Sequence, residues 1–169
     1  SKNFKIYHQK KFIDHKINPN LAVLISTSAT TGSSKLVRLS YENIFHNTKS
    51  ITQYLEINNQ DRLITTLPVD YTFGFSQINT HLFCNAAIIL NNFSIIQKQF
   101  WNLLKKSKAT TFGGVPFTFE ILDKIKFYNI NFSYLKSITQ AGGKLDEKIQ
   151  KKFALLFRKK KIKFYIMYG

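Results

Sequence analysis

LAVLISTSATTGSSKLVRLSYENI, residues 21–44, sets two extended apolar runs on either side of a polar loop, SATTGSSK at 28–35. Residues 21–27 form a short β-branched apolar run that reads as a buried strand, and residues 37–39 resume extended character before Ser40 opens a helix. The loop carries the hydroxyls of Ser28, Thr30, Thr31, Ser33 and Ser34, a pivot at Gly32 and a cation at Lys35. Donors and positive charge in that combination suit phosphate oxygens, so the loop can wrap a triphosphate. It is not a Walker loop, because the G-x-x-x-x-G-K-[ST] spacing is absent and no helix follows Lys35 directly. Read alone, the stretch is equally an ordinary Ser/Thr-rich surface loop.

Working outward, residues 1–20 are basic and aromatic without a period and end in the turn signal Asn18-Pro19-Asn20, so they are assigned as a connector. His8 and His15 there lack an acidic or further His partner at ligand spacing, and no metal site is expected in the chain. Downstream, Ser40 caps a helix with Glu42 in its first turn, and Tyr41, Ile44, Thr48, Ile51 and Leu55 form its apolar stripe. Strands are predicted over 62–67, 86–90, 135–140 and 163–167. Helices are predicted after Gly74, over 100–106, from Pro116 with Phe117, Phe119, Ile121, Leu122 and Ile125 on the buried side, and from a cap at Asp146. His81 and Cys84 fall one turn apart on the helix after Gly74, but nothing nearby activates the thiol or orients the imidazole, and core packing is the expectation.

The 169 residues are 44% hydrophobic, enough for one folded core, and they alternate strand with helix from residue 21 onward. The fold class is therefore α/β: a layered, mostly parallel sheet with helices on both faces. A net charge of +16 suggests polyanion partners, yet the lysines are scattered among Asn, Ile and Phe with no nucleic-acid motif, so a solvated basic surface is expected and nucleic acid is not. The single cysteine, Cys84, excludes an internal disulfide framework and fits a reducing cytoplasm; no secretory signal and no run of membrane-spanning length is present.

Residues 27–44 resemble the phosphate-binding signature TSGTTGKPKGV of the adenylate-forming enzymes: acyl-CoA synthetases, luciferases and peptide synthetase adenylation domains. The resemblance makes Thr27, Ser28, Thr30, Thr31, Gly32 and Lys35 the loop that closes on the phosphates of ATP, with Lys35 the catalytic cation. Ala29 and Leu36 replace glycines of that pattern, and Ser33-Ser34 replaces Lys-Pro. Ala29 resists the positive φ a glycine adopts, so the loop is expected to be stiffer or differently shaped.

Three more landmarks follow in the family's order. LPVDYTFG at 67–74 is similar to PLFHxxG, with Tyr71 where the family carries His beside the carboxylate substrate, which implies an aromatic wall or gate for the acid. GGVP at 113–116 is similar to the segment that borders the acyl pocket. LKSITQAGGKL at 135–145 resembles the strand and glycine turn that wall the adenine, and glycines there let backbone approach a flat ligand. The resemblance thus assigns Ala141, Gly142, Gly143, Tyr168 and Gly169 to adenine binding. In the family the terminal Tyr-Gly continues into a threonine that contacts phosphate and a glutamate that binds Mg2+, a ligand expected beyond Gly169.

The resemblance implies a partial N-terminal AMP-binding domain over residues 21–169 that activates a carboxylic acid with ATP as an acyl-adenylate. CoA or an acyl carrier protein is the implied acceptor, and the basic run at 158–161 is a candidate dock for an acidic carrier. Starting at Ser1 without a methionine and stopping at Gly169 just after an apolar strand, the chain looks like a segment of something longer, inactive on its own. The alternative from another class is a noncatalytic module that holds a nucleotide or an acidic partner.

Overall fold

The computed structural model describes residues 16–26, 36–127, 130 and 133–168. Two strands, β1 (Leu21–Ser26) and β2 (Leu36–Ser40), pair antiparallel in a ribbon of their own, with Leu24 opposite Arg38 and Ser26 opposite Leu36. The short connection between them explains why they stand apart from the parallel sheet: nine residues can close a hairpin, whereas a parallel crossover needs a dozen or more. Helix α1 (Tyr41–Leu55) starts directly from β2. The Ser40 hydroxyl accepts from the Asn43 N–H at 3.1 Å, and Asn43 Oδ1 accepts from the Ser40 N–H at 3.1 Å, a reciprocal cap that uses two otherwise orphaned donors.

The main sheet holds five parallel strands in the order β4-β3-β5-β6-β7: β3 (Arg62–Ile64), β4 (Ala87–Ile89), β5 (Thr111–Gly114), β6 (Ser137–Gln140) and β7 (Lys163–Ile166). Helix α2 (Thr72–Phe83) joins β3 to β4 and packs on α1, while α3 (Lys98–Lys106), α4 (Pro116–Lys124) and α5 (Glu147–Lys159) follow β4, β5 and β6. Strands β3, β4, β6 and β7 are one to three residues shorter than the sequence suggests. After Ile64, for instance, the Thr65 hydroxyl accepts from the Asn91 N–H at 2.9 Å and the Thr65 carbonyl accepts from Asn91 Nδ2 at 3.1 Å, so side chain and loop take over from the ladder.

Strand side chains alternate across the sheet, and the two faces differ. One face presents Ile64, Phe112 and Ile138 to α3, α4 and α5. There Phe100, Trp101, Phe119, Phe127, Phe153 and Phe157 form a buried aromatic core, with Phe100 edge-on to Trp101 at 4.8 Å and Phe127 edge-on to Phe157 at 5.9 Å between centroids. Trp101 resolves its buried indole by donating to the Ile95 carbonyl at 2.8 Å. The opposite face, toward α1 and α2, carries small or polar residues at Thr111, Gly113, Ser137 and Thr139. Two stripe assignments differ from the sequence reading: Tyr41 and Phe117 are exposed. Both lie in the first turn of their helices, where the stripe begins before the helix has reached its neighbours.

Candidate functional site

Because all five strands run the same way, their C-terminal ends lie along one edge, and the landmarks at residues 67–74, 113–116 and 141–143 gather there with Tyr168. After β3, the turn at Pro68 returns the chain into α2: the Tyr71 N–H donates to the Pro68 carbonyl at 3.3 Å, and Tyr71 is the residue that precedes the helix. Gly74 lies against the Pro68 carbonyl so closely that a Cβ would collide with it, which fixes a glycine in the first turn of α2. The Thr66 hydroxyl donates to the Gly113 carbonyl, tying this turn to the end of β5. After β5, the Val115 N–H donates to the Thr118 hydroxyl at 3.2 Å and Pro116 opens α4.

After β6 comes the glycine turn. The Ala141 N–H donates to the Gly114 carbonyl at 3.3 Å, Gly142 has φ +79° and Gly143 φ +152°. The fully buried Gln140 braces the turn from below by donating its Nε2 to the carbonyls of Ala141 at 3.2 Å and Gly143 at 2.9 Å. A Cβ on Gly142 would strike the Tyr71 hydroxyl and lie 3.1 Å from a Val115 methyl. The residues expected beside the acid and beside the adenine are therefore in contact with each other. On the neighbouring strand the Met167 N–H donates to the Gln140 carbonyl at 2.7 Å, which carries Tyr168, fully exposed, past the same edge.

Tyr71, Ala141, Gly142, Gly143 and Tyr168 share one end of the sheet. Thr27, Ser28, Thr30, Thr31, Gly32, Lys35 and Gly169 lie outside the described residues. Among the described residues no three of His, Cys, Asp and Glu converge on a possible metal position. No described helix is long and apolar enough to cross a membrane.

Sequence reasoning missed a cavity of about 630 Å³ on the small-residue face of the sheet. It runs from Thr139 and Met167 near the glycine turn, under Phe73 and Gln77 of α2, to Asp61 and Lys136 at the opposite edge. The signal was present in the alternation of Thr111, Gly113, Ser137 and Thr139 with Phe112 and Ile138, which marks one face as packed and the other as unfilled. At the far end, buried Asp61 accepts from the Asn58 N–H at 2.9 Å, the Thr110 hydroxyl at 3.1 Å and Lys136 Nζ at 3.1 Å.

Along the cavity wall His81 is buried, with Nδ1 2.7 Å from the Gln77 carbonyl and Nε2 3.3 Å from the Thr111 hydroxyl. A carbonyl only accepts, so Nδ1 carries the proton and Nε2 accepts from Thr111. Burial pushes the imidazole pKa below its ordinary value, against the opposing pull of the Gln77 carbonyl and Asp61, and the ring is neutral at pH 7. Cys84 caps the end of α2 rather than lying within it, and burial raises its thiol pKa, so His81 and Cys84 form no nucleophile and base pair.

The sequence profile of the family described as AMP-binding enzyme matches residues 4–169. Solved structures share the fold. The o-succinylbenzoate coenzyme A synthetase of Bacillus subtilis in complex with AMP superposes with a TM-score of 0.74 at 23% identity, over 88% of this chain and 30% of that one. VinN in complex with L-aspartate gives 0.74 at 22% identity over 95% and 40%. A long-chain-fatty-acid-CoA ligase of Archaeoglobus fulgidus gives 0.75 at 20% identity over 95% and 34%. The chain thus spans between 30% and 40% of the length of these structures. A search among curated proteins returned no match.

Two measurements check this geometry. Gly142→Ala lowers the unfolding free energy by more than the roughly 1–2 kcal/mol that a left-handed residue costs by itself, because the added methyl also meets the Tyr71 hydroxyl. In a Tyr71→Phe background that loss shrinks, with a coupling of about 0.5–3 kcal/mol in denaturant titrations; identical losses in both backgrounds contradict the contact. His81 titrates with a folded pKa below the unfolded value of 6.5, so its contribution to stability is complete above that pH and is lost as the pH falls through the folded pKa. Urea midpoints compared at pH 7.5 and 5.5 fall less for His81→Gln than for the wild type, and an equal fall means His81 is not the buried neutral group described.

Proposed function

We propose, from the fact that this chain belongs to the AMP-binding enzyme family, that it forms the nucleotide and acid site of an adenylate-forming ligase. In the proposed reaction a carboxylate oxygen attacks the α-phosphorus of ATP, a P–O bond to the acyl group forms, the α–β phosphate bridge breaks, and pyrophosphate leaves with the electron pair. Transfer of the acyl group to CoA or a carrier thiol would follow in the longer protein. The observation that carries the reading is the convergence of Tyr71, the glycine turn and Tyr168 on one edge of the sheet.

In this reading the bare backbone of Ala141, Gly142 and Gly143 lets an adenine lie against the chain, and Tyr168, exposed beside it, supplies a ring to stack. Tyr71 walls the acid from the side of α2. The 27–35 loop, with Lys35, donates to the phosphates and offsets charge as the pyrophosphate separates. Positioning of two anions against each other is the larger task, since chemistry at phosphorus depends on orientation and charge neutralisation. Mg2+ neutralises triphosphate charge when bound, and the resemblance places its ligand beyond Gly169.

The noncatalytic reading draws on Ala29 and Leu36, which stand where the phosphate signature has glycines. Calorimetric titration with ATP decides whether the loop is a phosphate site. Lys35→Ala weakens binding by about tenfold or more, as loss of a hydrogen bond to a charged group should, while Lys151→Ala on α5 leaves it nearly unchanged. Equal weakening by both variants means that ATP reads the +16 surface rather than a site. Acid-dependent pyrophosphate release by the full-length product of the gene that encodes this chain separates ligase from binding module.

A further inference from the structure

The lysines that lie scattered along the chain are gathered by the fold. Each helix that follows a strand of the parallel sheet runs back against it, so helix C-termini and strand starts share the edge opposite the glycine turn. Helix ends bring Lys105, Lys106, Lys124, Arg158 and Lys159 to that edge, all exposed. Arg62 and Lys163, which open β3 and β7, stand beside them with Lys136, just before β6, and these too are exposed. The Arg62 Nε donates to the Ser107 carbonyl at 2.6 Å, which ties one strand start to the end of α3. The acids here are already engaged: Glu56 pairs with Lys163 at 2.6 Å, Asp61 with Lys136 at 3.1 Å, and Asp123 with Lys152. Among the described residues the opposite edge sets Lys98, Lys144 and Lys148 against Asp70, Asp146 and Glu147, so the positive charge is one-sided.

The helix dipole accounts for part of this, since cations in a last turn are favoured. The strand starts lie outside any last turn, and so do the residues that leave each helix. Lys108, Lys126 and Lys161 stand one residue past the caps of α3, α4 and α5, with φ of +52°, +52° and +56°. Glycine or asparagine takes that left-handed position at least cost, as Asn85 does after α2 with φ +55°. Three turns on one edge thus carry a lysine where the backbone favours a smaller, neutral residue.

We propose that this edge is a docking surface for a bilayer rich in anionic lipid. Strand starts and helix ends form two rows, an array that suits a plane of headgroups. Lysine predominates over arginine, which fits diffuse negative charge better than bidentate reading of a single phosphate. A single-stranded nucleic acid needs an open aromatic platform, and the exposed ring here, Tyr134, already has Lys108 Nζ 5.5 Å from its centroid. An acidic carrier seated here would stand the length of α5, 13 residues or about 20 Å, from the glycine turn where the acyl group is proposed to form. A docked bilayer leaves the nucleotide edge facing solution. Charge and topology alone carry this assignment, so it stands or falls apart from the adenylating reading.

Sedimentation of the full-length product of the gene that encodes this chain with lipid vesicles tests it, using about one third phosphatidylserine in phosphatidylcholine and phosphatidylcholine alone. Partition onto the anionic vesicles is expected at physiological salt and falls as salt rises, with none onto phosphatidylcholine alone. Lys106→Gln, Lys124→Gln and Lys159→Gln together are expected to weaken partition about tenfold or more, since each lysine near such a surface contributes up to about fivefold. Lys98→Gln, Lys144→Gln and Lys148→Gln together remove the same charge from the other edge and are expected to change it less than about twofold, because charges beyond a Debye length of the surface are screened. Equal loss in the two triple variants, equal binding to phosphatidylcholine alone, or no partition at physiological salt overturns the proposal. Duplex DNA or polyglutamate that strips the protein from vesicles at equal anionic charge also overturns it, and assigns the edge to nucleic acid or to an acidic protein.

Discussion

The phenol of Tyr71 occupies the space that a side chain on residue 142 would need, and that contact joins two segments seventy-one positions apart in the chain. It requires a residue without Cβ at 142, a positive φ that glycine takes without strain, and a turn after β3 that aims Tyr71 at the end of β6. The parallel sheet supplies the rest. With every strand running the same way, each strand-to-helix turn falls on the same edge, and the Thr66 bond to Gly113 and the Met167 bond to Gln140 hold those turns side by side.

The two faces of the sheet divide the work. Phe112, Ile138 and Ile64 anchor the aromatic core under α3, α4 and α5, and such a core is where most of the stabilisation resides, at about 25 cal/mol for each Å² of apolar surface removed from water. The other face gives up side-chain volume at Thr111, Gly113, Ser137 and Thr139. A cavity of about 630 Å³ persists there because the residues that could fill it are small and those around it are held by hydrogen bonds. One strand pattern, large apolar against small polar, thus specifies both the packed layer and the open one.

Much of this was legible in the sequence because the signals are local. Ser40 and Asp146 as caps, Pro116 at a helix start, and the apolar strands around residues 64, 88 and 138 each follow from propensity and period within a short window. The order of the landmarks carried the family, and the profile match over residues 4–169 agrees. What could not be read was tertiary. The antiparallel pairing of β1 with β2 depends on register across the loop, the exposure of Phe117 on where α4 meets its neighbours, and the basic edge on strand starts and helix ends that meet only in the folded sheet. The sequence resemblance named Tyr71 and the glycine turn separately; only the fold shows that they touch.

The central claim is that the shared C-terminal edge of the sheet, and not the basic surface, is where the nucleotide binds. Titration of isotopically labelled protein with AMP, read residue by residue from amide chemical shifts, tests it most directly. The account predicts saturable shifts at Ala141, Gly142, Gly143 and Tyr168 that persist when salt is raised well above physiological strength. Shifts confined to the lysines and arginine of α5, fading with salt as a screened surface interaction does, would contradict it.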